Sequence, residues 1–485
     1  MNEPPQSLGA RARQLAGEQP DRVAVRCVAI DGSEIAVTWS ELDRRSDQLA
    51  GALAERGLGL GARLGLGLRN SIEYVVAAFA AWKLGATPVP IRWDLPEWEF
   101  SRLQEVVDAK VFLGADDMEW IAATASRAVP RLADVIAPND VGICSSGSTG
   151  TPKIIVSHRP GVYLDVLSTP MMQNWRPVDR PQMILVLAPM YHTNGFSTLY
   201  TLLGGDSLVI MEKFDAARVV DVIERHRAST FTATPTMLQR IADLPGVDER
   251  DLSSIEWILQ GAAPMPRSLV RRWISLIGAE RIIMAYGMTE SIGITVLRGD
   301  EWLAHEGSVG RGFRGTEIRI LDDDQADVPV GEIGEIYLRN PAYGGSEYLG
   351  DAPAMHGTSD GFFTVGDLGY VDADDYVYLV DRRVDVIITG GANVFPSEVE
   401  AALIDHPQIA DVVVIGLTDP EWGKRVHAVV ARSGDARIEA DEVIAYAKAR
   451  LAAYKVPKSV EFVDEIPRSA ATKVNRGALI ASRGG

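Results

Sequence analysis

Residues 145–153 read SSGSTGTPK and follow an apolar stretch at 141–144. Small residues and hydroxyls at this density let backbone N–H groups approach and surround phosphate oxygens, and Lys153 adds a point charge. By composition Ser145, Ser146, Gly147, Ser148, Thr149, Gly150 and Lys153 form a candidate phosphate loop, although a Ser- and Gly-rich surface linker would have the same make-up. It is not a Walker A loop, because the position five on from Gly147 is Pro152, where a second glycine is required. Other chemistries find less support. GTSDG at 357–361 has the nucleophile-elbow pattern around Ser359, but DAPAMH before it and GFFTVGDLGY after it do not supply the strand and helix that the motif needs. The histidines, at 158, 192, 226, 305, 356, 406 and 427, include no close pair at metal-ligand spacing. The run GLGLGARLGLG fails as a dinucleotide fingerprint, since Gly57 and Gly59 lead to Ala62, and Gly59 and Gly61 to Leu64.

Such a loop must be carried by regular elements, and the chain alternates their two periods. Residues 40–56 predict an amphipathic helix, with Ser40 as cap, Asp43 three positions on, Leu42, Leu49, Ala50 and Leu53 along one face, and Gly57 as the stop. From about 180 to 290, apolar runs at 184–188, 208–211, 230–234, 255–260 and 281–286 are separated by helix-length stretches such as 215–227 and 266–277. That rhythm predicts a parallel sheet covered on both faces by helices. Between 316 and 380 short strands with turn residues (TEIRIL, GEIYLR, YVYLV) predict a small antiparallel or barrel-like subdomain. The last hundred residues read as a further α+β unit, with Ser397 and Glu400 as a capping box for a helix starting near Pro396, then strands at 411–416 and 426–431. The expected fold class is α/β: a large N-terminal domain of parallel α/β sheets with a barrel-like β subdomain, and a small α+β C-terminal domain.

Composition narrows the partners. The 485 residues carry 48 Lys+Arg against 66 Asp+Glu, a net charge of -18, which argues against a protein that tracks a phosphate backbone. No apolar run reaches the roughly 18 to 20 residues that span a bilayer, and the N-terminus has no apolar leader core, so a cytoplasmic location without a membrane span is expected. With only 2 cysteines, Cys27 and Cys144, a disulfide scaffold or a sulfur-based metal site is not expected.

Further motifs follow the phosphate loop in order: YGMTE at 286–290, GDLGYVDADDYVYLVDRR at 366–383, GGANVFPSEVE at 390–400 and PRSAATKVNR at 467–476. At these separations the set resembles the ANL superfamily of adenylate-forming enzymes, which includes acyl- and aryl-CoA ligases, adenylation domains of peptide synthetases and luciferases. The resemblance covers nearly the whole chain, including TWSELDRRSDQLAGALAERGLGLGARLGL and WKLGATPVPI near its start. It implies a carboxylic acid activated as acyl-AMP at the expense of ATP, and domains at 1–380 (acyl and nucleotide binding), 381–384 (hinge) and 385–485 (mobile).

The residue types suit that chemistry. Bringing a carboxylate to the α-phosphate of ATP sets anion against anion, so cations and donors must face the developing charge. Glu290 is the expected Mg2+ ligand, a hard oxygen donor for a hard cation, and Thr289 a hydroxyl donor to the α-phosphate. Tyr286 opens the same motif and belongs to the nucleotide site. Asp367 can accept both hydrogen bonds of a ribose diol, the role of the Asp in the family's GD motif, and Arg382 offers a fork of donors to ribose or phosphates. Lys473 resembles the family's C-terminal lysine, which bridges the attacking carboxylate and the nucleotide. APMYHTNGF at 188–196 resembles the acyl-pocket motif, with His192 as its gating residue, and Gly261, Ala262 and Ala263 would form another wall with room for an acyl or ring group. Gly390, Gly391 and Ala392 match the loop that lines the pantetheine tunnel during thioester formation.

Three departures bear on mechanism. The hinge position that usually holds Lys or Asp is Val384, whose branching stiffens it. Ile154 stands where glycine is common and is expected to crowd the strand leaving the phosphate loop. Thr472 replaces the glycine before the lysine and resists positive φ, so the loop could deliver Lys473 in an altered geometry and damage adenylation selectively. A separate adenylating enzyme would then belong to the same pathway. The expected partners are a small carboxylic acid, ATP/AMP or supplied acyl-AMP, Mg2+ and CoA, with no nucleic acid. The standalone architecture favours CoA over a carrier protein as acceptor, and self-association as a homodimer stays open. A non-catalytic binding protein would show no turnover with ATP and a matched acid.

Overall fold

The computed structural model describes residues 5–145, 153–350, 354–468 and 474–483. Its largest sheet has nine strands, with six parallel ones (Val23–Val28, Ser207–Met211, Met183–Val186, Thr230–Ala233, Trp257–Gln260 and Ile282–Gly287) in the middle and antiparallel strands at both edges. The apolar runs fill both faces. Ile184, Val186, Leu208 and Ile210 join one core with Trp39, Leu42, Leu49, Leu53 and Trp82, whereas Leu185, Leu187, Val209 and Met211 join another with Val219, Ile223, Phe231 and Trp273. A strand buried on both sides needs continuous rather than alternating apolar residues, which is why these runs are legible. Helices Ala216–His226, Pro235–Ala242 and Arg267–Ile277 cover one side.

The first of the expected helices runs over Trp39–Glu55, one residue early at each end. Its cap is Thr38, not Ser40. Thr38 is the last extended residue, its hydroxyl accepts from the Glu41 N–H, and the Glu41 side chain returns to the Thr38 N–H, while Ser40 already lies inside the helix. Lys83, fully buried on the neighbouring helix Ile72–Lys83, is held by Asp43 at 2.6 Å and Asp47 at 2.7 Å.

Two smaller sheets carry the middle of the chain. A six-stranded antiparallel sheet joins Glu317–Leu321, Gly334–Arg339, Asp367–Val371 and Val377–Arg382 with two short strands. A three-stranded sheet pairs Gly142–Ser145 with Lys153–Ser157 and Ser346–Leu349. Ile154 does not crowd that sheet. It is fully buried and packs with Val89, Ile91, Leu103 and Val107, so its bulk completes a core. GTSDG forms the turn between two short antiparallel strands, His356–Gly357 and Phe363–Thr364, and no helix follows Ser359.

Residues 387–463 form a five-stranded sheet around the hairpin Ile409–Asp419 and Gly423–Arg432, with Pro396–Ile404 and Ala440–Lys448 packed on one face and Arg476–Ala481 on the other. Helix Pro396–Ile404 starts where expected, with Pro396 in the first turn, but the capping box is absent. The Ser397 N–H donates to Asp381 at 2.9 Å and its hydroxyl to the Val380 carbonyl. Glu400 accepts from the Val414 N–H and pairs with Arg476 at 2.6 Å. A partly buried carboxylate needs a charged partner more than the helix start needs a second cap. Burial raises the Glu400 and Asp381 carboxyl groups above the usual carboxylate range. Val384, expected at the hinge, lies in the 3-10 turn Arg383–Asp385 and is 76% exposed. On either side, Arg383 reaches Asp323 and Glu335, and Asp385 meets Arg476. No helix among the described residues is long and apolar enough to cross a membrane.

Candidate functional site

Several expected site residues come from one edge of the large sheet, because they lie at or just beyond the carboxyl ends of its parallel strands. The 188–192 segment follows Met183–Val186, Gly261–Ala263 follows Trp257–Gln260, and Tyr286 lies near the end of Ile282–Gly287. In open α/β sheets this carboxyl edge is where ligands bind.

Asp367 anchors one corner. It begins strand Asp367–Val371, directly opposite Arg382 in the antiparallel register. Its Oδ2 accepts from the Tyr286 hydroxyl at 2.7 Å and its Oδ1 from Arg382 Nε at 3.2 Å. The carboxylate is 9% exposed, while Arg382 stays exposed and can turn toward a ligand. Burial, and then the neighbouring Asp367 charge, push the Tyr286 phenol well above its ordinary range, so it remains a hydrogen-bond donor.

Thr289 and Glu290 occupy the turn beyond Tyr286. Thr289 Oγ1 accepts from the Thr193 hydroxyl at 3.2 Å, which ties the turn to the helix starting at Thr193. Glu290 is held twice by one strand: its carbonyl accepts from the Ser346 hydroxyl at 2.7 Å and its Oε1 from the Tyr348 hydroxyl at 2.8 Å. Lys153 lies at the start of its strand, with Nζ 4.6 Å from the centre of the Tyr348 ring. Burial raises the Tyr348 phenol, and the Glu290 carboxylate adds to that shift.

The segment that carries His192 is fixed from below. Asn70 accepts from the Met190 N–H at 2.7 Å and donates to the Ala188 carbonyl at 3.0 Å, and the Tyr74 hydroxyl donates to the Met190 carbonyl at 2.8 Å. Only glycine fits at 195, where a Cβ would stand 2.3 Å from the Pro189 carbonyl oxygen. The His192 ring lies 4.5 Å from that of Tyr191. In the 260–263 segment, Gln260 Nε2 donates to the Ala263 carbonyl at 2.6 Å, and Ala262 holds a left-handed φ of 72°. A non-glycine residue in that region is uncommon and needs such anchoring. Gly261 leaves open space, its nearest neighbour at a Cβ position being the Ala285 carbonyl at 3.7 Å.

Gly390 and Gly391 form the turn between Ile387–Thr389 and Ala392–Val394, and Ala392 opens the second of these strands. Gly390 donates to the Trp422 carbonyl at 2.9 Å, and a Cβ there would clash with the Trp422 ring. Ser145 ends its strand opposite Lys153, whereas Ser146, Gly147, Ser148, Thr149, Gly150, Thr472 and Lys473 lie outside the described residues. Tyr348, Ser346, Thr193 and Asn70 escaped sequence reasoning. The one local signal was the two-residue spacing that puts 346 and 348 on the same face of a strand.

Comparison with known proteins identifies the family. Residues 12–346 match the model of the AMP-binding enzyme family and residues 398–473 that of the AMP-binding enzyme C-terminal domain. A feruloyl-CoA synthase from Amycolatopsis sp is 33% identical, with 98% of each chain covered, and a 2-succinylbenzoate–CoA ligase from Bacillus licheniformis is 31% identical, with 96% of this chain and 98% of that protein covered. Among solved structures, the o-succinylbenzoate CoA synthetase of Bacillus subtilis in complex with its acyl-adenylate intermediate superposes with a TM-score of 0.84 at 27% identity, covering 99% of this chain and 98% of that one. The chain therefore belongs to the AMP-binding enzyme family, within the ANL superfamily of adenylate-forming enzymes, and is most like its AMP-forming acyl-CoA ligases.

Proposed function

We propose that the protein activates a carboxylic acid as acyl-AMP with release of pyrophosphate and then transfers the acyl group to CoA with release of AMP. The observation that carries this reading is the buried Asp367 carboxylate, gripped by Tyr286 and Arg382 a short distance along the chain fold from the Thr289–Glu290 turn. Asp367 takes the ribose diol, Arg382 the ribose or phosphates, and Ser145 with residues 146–150, Lys153 and Thr289 the phosphate chain. His192 and 261–263 bound the acyl group, and Lys473 bridges the attacking carboxylate and the α-phosphate. Glu290 suits Mg2+ in its donor chemistry: a carboxylate is a hard oxygen donor for a hard cation, and this one is held in place through Oε1 by the Tyr348 hydroxyl. When bound, Mg2+ offsets negative charge on the phosphates. The reading places the enzyme in the cytoplasm, where ATP and CoA are supplied.

The test is acceptor choice. With a panel of acids, ATP and Mg2+, CoA is expected to yield thioester, and a pantetheinylated carrier protein none. Transfer to the carrier alone would make this a carrier-loading enzyme instead.

Rotation of residues 385–485 about 381–384 would bring the 390–392 turn to the thiol. Gly391 has φ +81° and no atom within 4 Å of a would-be Cβ. Gly391→Leu therefore meets open space but a strained backbone, at about 1 to 2 kcal/mol. It is expected to slow thioester formation from supplied acyl-AMP of order tenfold and adenylation much less. Equal slowing of both steps would assign the turn to folding. Among the three departures, Ile154 is absorbed by the core and Val384 by solvent exposure, so the reading in which adenylation is the weaker step rests on Thr472.

A further inference from the structure

Strand Ser346–Leu349 joins two parts of the site that chain order keeps apart. It pairs antiparallel with Lys153–Ser157, Tyr348 opposite Ile155. Ser346 and Tyr348 share one face, and both end on Glu290, one on its backbone carbonyl and the other on its carboxylate. The ring of the same tyrosine carries Lys153. Lys153 and Glu290 thus touch one side chain, the ammonium on its ring and the carboxylate on its hydroxyl.

That arrangement has two consequences. A phenol donating to Oε1 fixes the rotamer of Glu290 while leaving Oε2 for another ligand; such outer partners set how well a carboxylate binds a cation. The π face holds the lysine by its quadrupole, away from the carboxylate it would neutralise. The geometry points to Tyr348 as a positioning residue that orients Glu290 for a divalent cation and holds Lys153 off it, toward the nucleotide phosphates. This rests on the reading of Glu290 as the cation ligand.

Calorimetric titration with α,β-methylene ATP, which cannot release pyrophosphate, separates the possibilities when run with Mg2+ and with EDTA. Tyr348→Phe keeps the ring and loses the hydroxyl. Its affinity with Mg2+ is expected to fall about tenfold, its metal-free affinity to stay unchanged, and high Mg2+ to restore binding, which a folding defect would not allow. Tyr348→Leu also removes the platform under Lys153 and is expected to weaken metal-free binding as well. Glu290→Gln serves as reference. If Glu290→Gln loses the Mg2+-dependent gain and Tyr348→Phe keeps it, Tyr348 is not the positioning residue and the cation reading stands. If Glu290→Gln keeps the gain, Glu290 is not the ligand and both ideas fall. Metal-free affinities equal in the Phe and Leu variants would overturn the role toward Lys153.

Discussion

Lys473→Ala is expected to lower acyl-AMP formation about 10²- to 10³-fold, the usual effect of removing one preorganised charge from a transition state, while thioester formation from supplied acyl-AMP and CoA stays within a few fold. In the proposed function adenylation requires the lysine beside the α-phosphate, and thiol attack follows rotation of the lobe, with the lysine remote. The same logic gives Thr472 a measurable consequence, because a β-branched residue resists the positive φ that glycine adopts freely. Thr472→Gly is expected to raise the adenylation rate and to leave the second step unchanged. Pyrophosphate release from ATP and acid, measured beside thioester formation from synthetic acyl-AMP, reads both effects. Comparable rates for the two half-reactions in the unaltered protein would mean that Thr472 is tolerated and no separate adenylating enzyme is needed.

The second large effect is expected at Asp367. Asp367→Ala removes a buried carboxylate that accepts from Tyr286 and Arg382 and, in the proposed function, from the ribose. Loss of a charged hydrogen-bonding partner costs roughly 1.5 to 3 kcal/mol, so affinity for an acyl-AMP analogue should fall between about ten- and hundredfold. Tyr286→Phe removes only the phenol donor and should cost less. Melting curves separate this from damage to the fold, since Arg382 is exposed and can rehydrate. Unchanged analogue affinity in Asp367→Ala would remove the residue from the nucleotide site.

Asp367 also illustrates what was legible. Its motif, and its distance from YGMTE, suggested a shared site, but not that the Tyr286 hydroxyl would close on it across 81 positions of chain. The apolar runs at 184–188, 208–211 and 230–234 gave the parallel strands because burial on both faces demands unbroken apolar sequence. The start of the helix at Pro396 was legible from the proline. The role of Glu400 was not, since a capping box and a partly buried ion pair use the same side chain and only the position of Arg476, distant in sequence, decides between them.

The sequence by itself determined the alternation of elements, the Ser- and Gly-rich composition of 145–153 and the order of the motifs, because these depend on residues within a few positions of one another. Tertiary structure alone decided the partners of the charged groups: Tyr348 on Glu290, Asn70 under the His192 segment, Asp381 on the helix at Pro396. A carboxylate or amide accepts whichever donor the sheet registers bring within about 3 Å, and those registers are set by the packing of cores to which residues from the whole chain contribute.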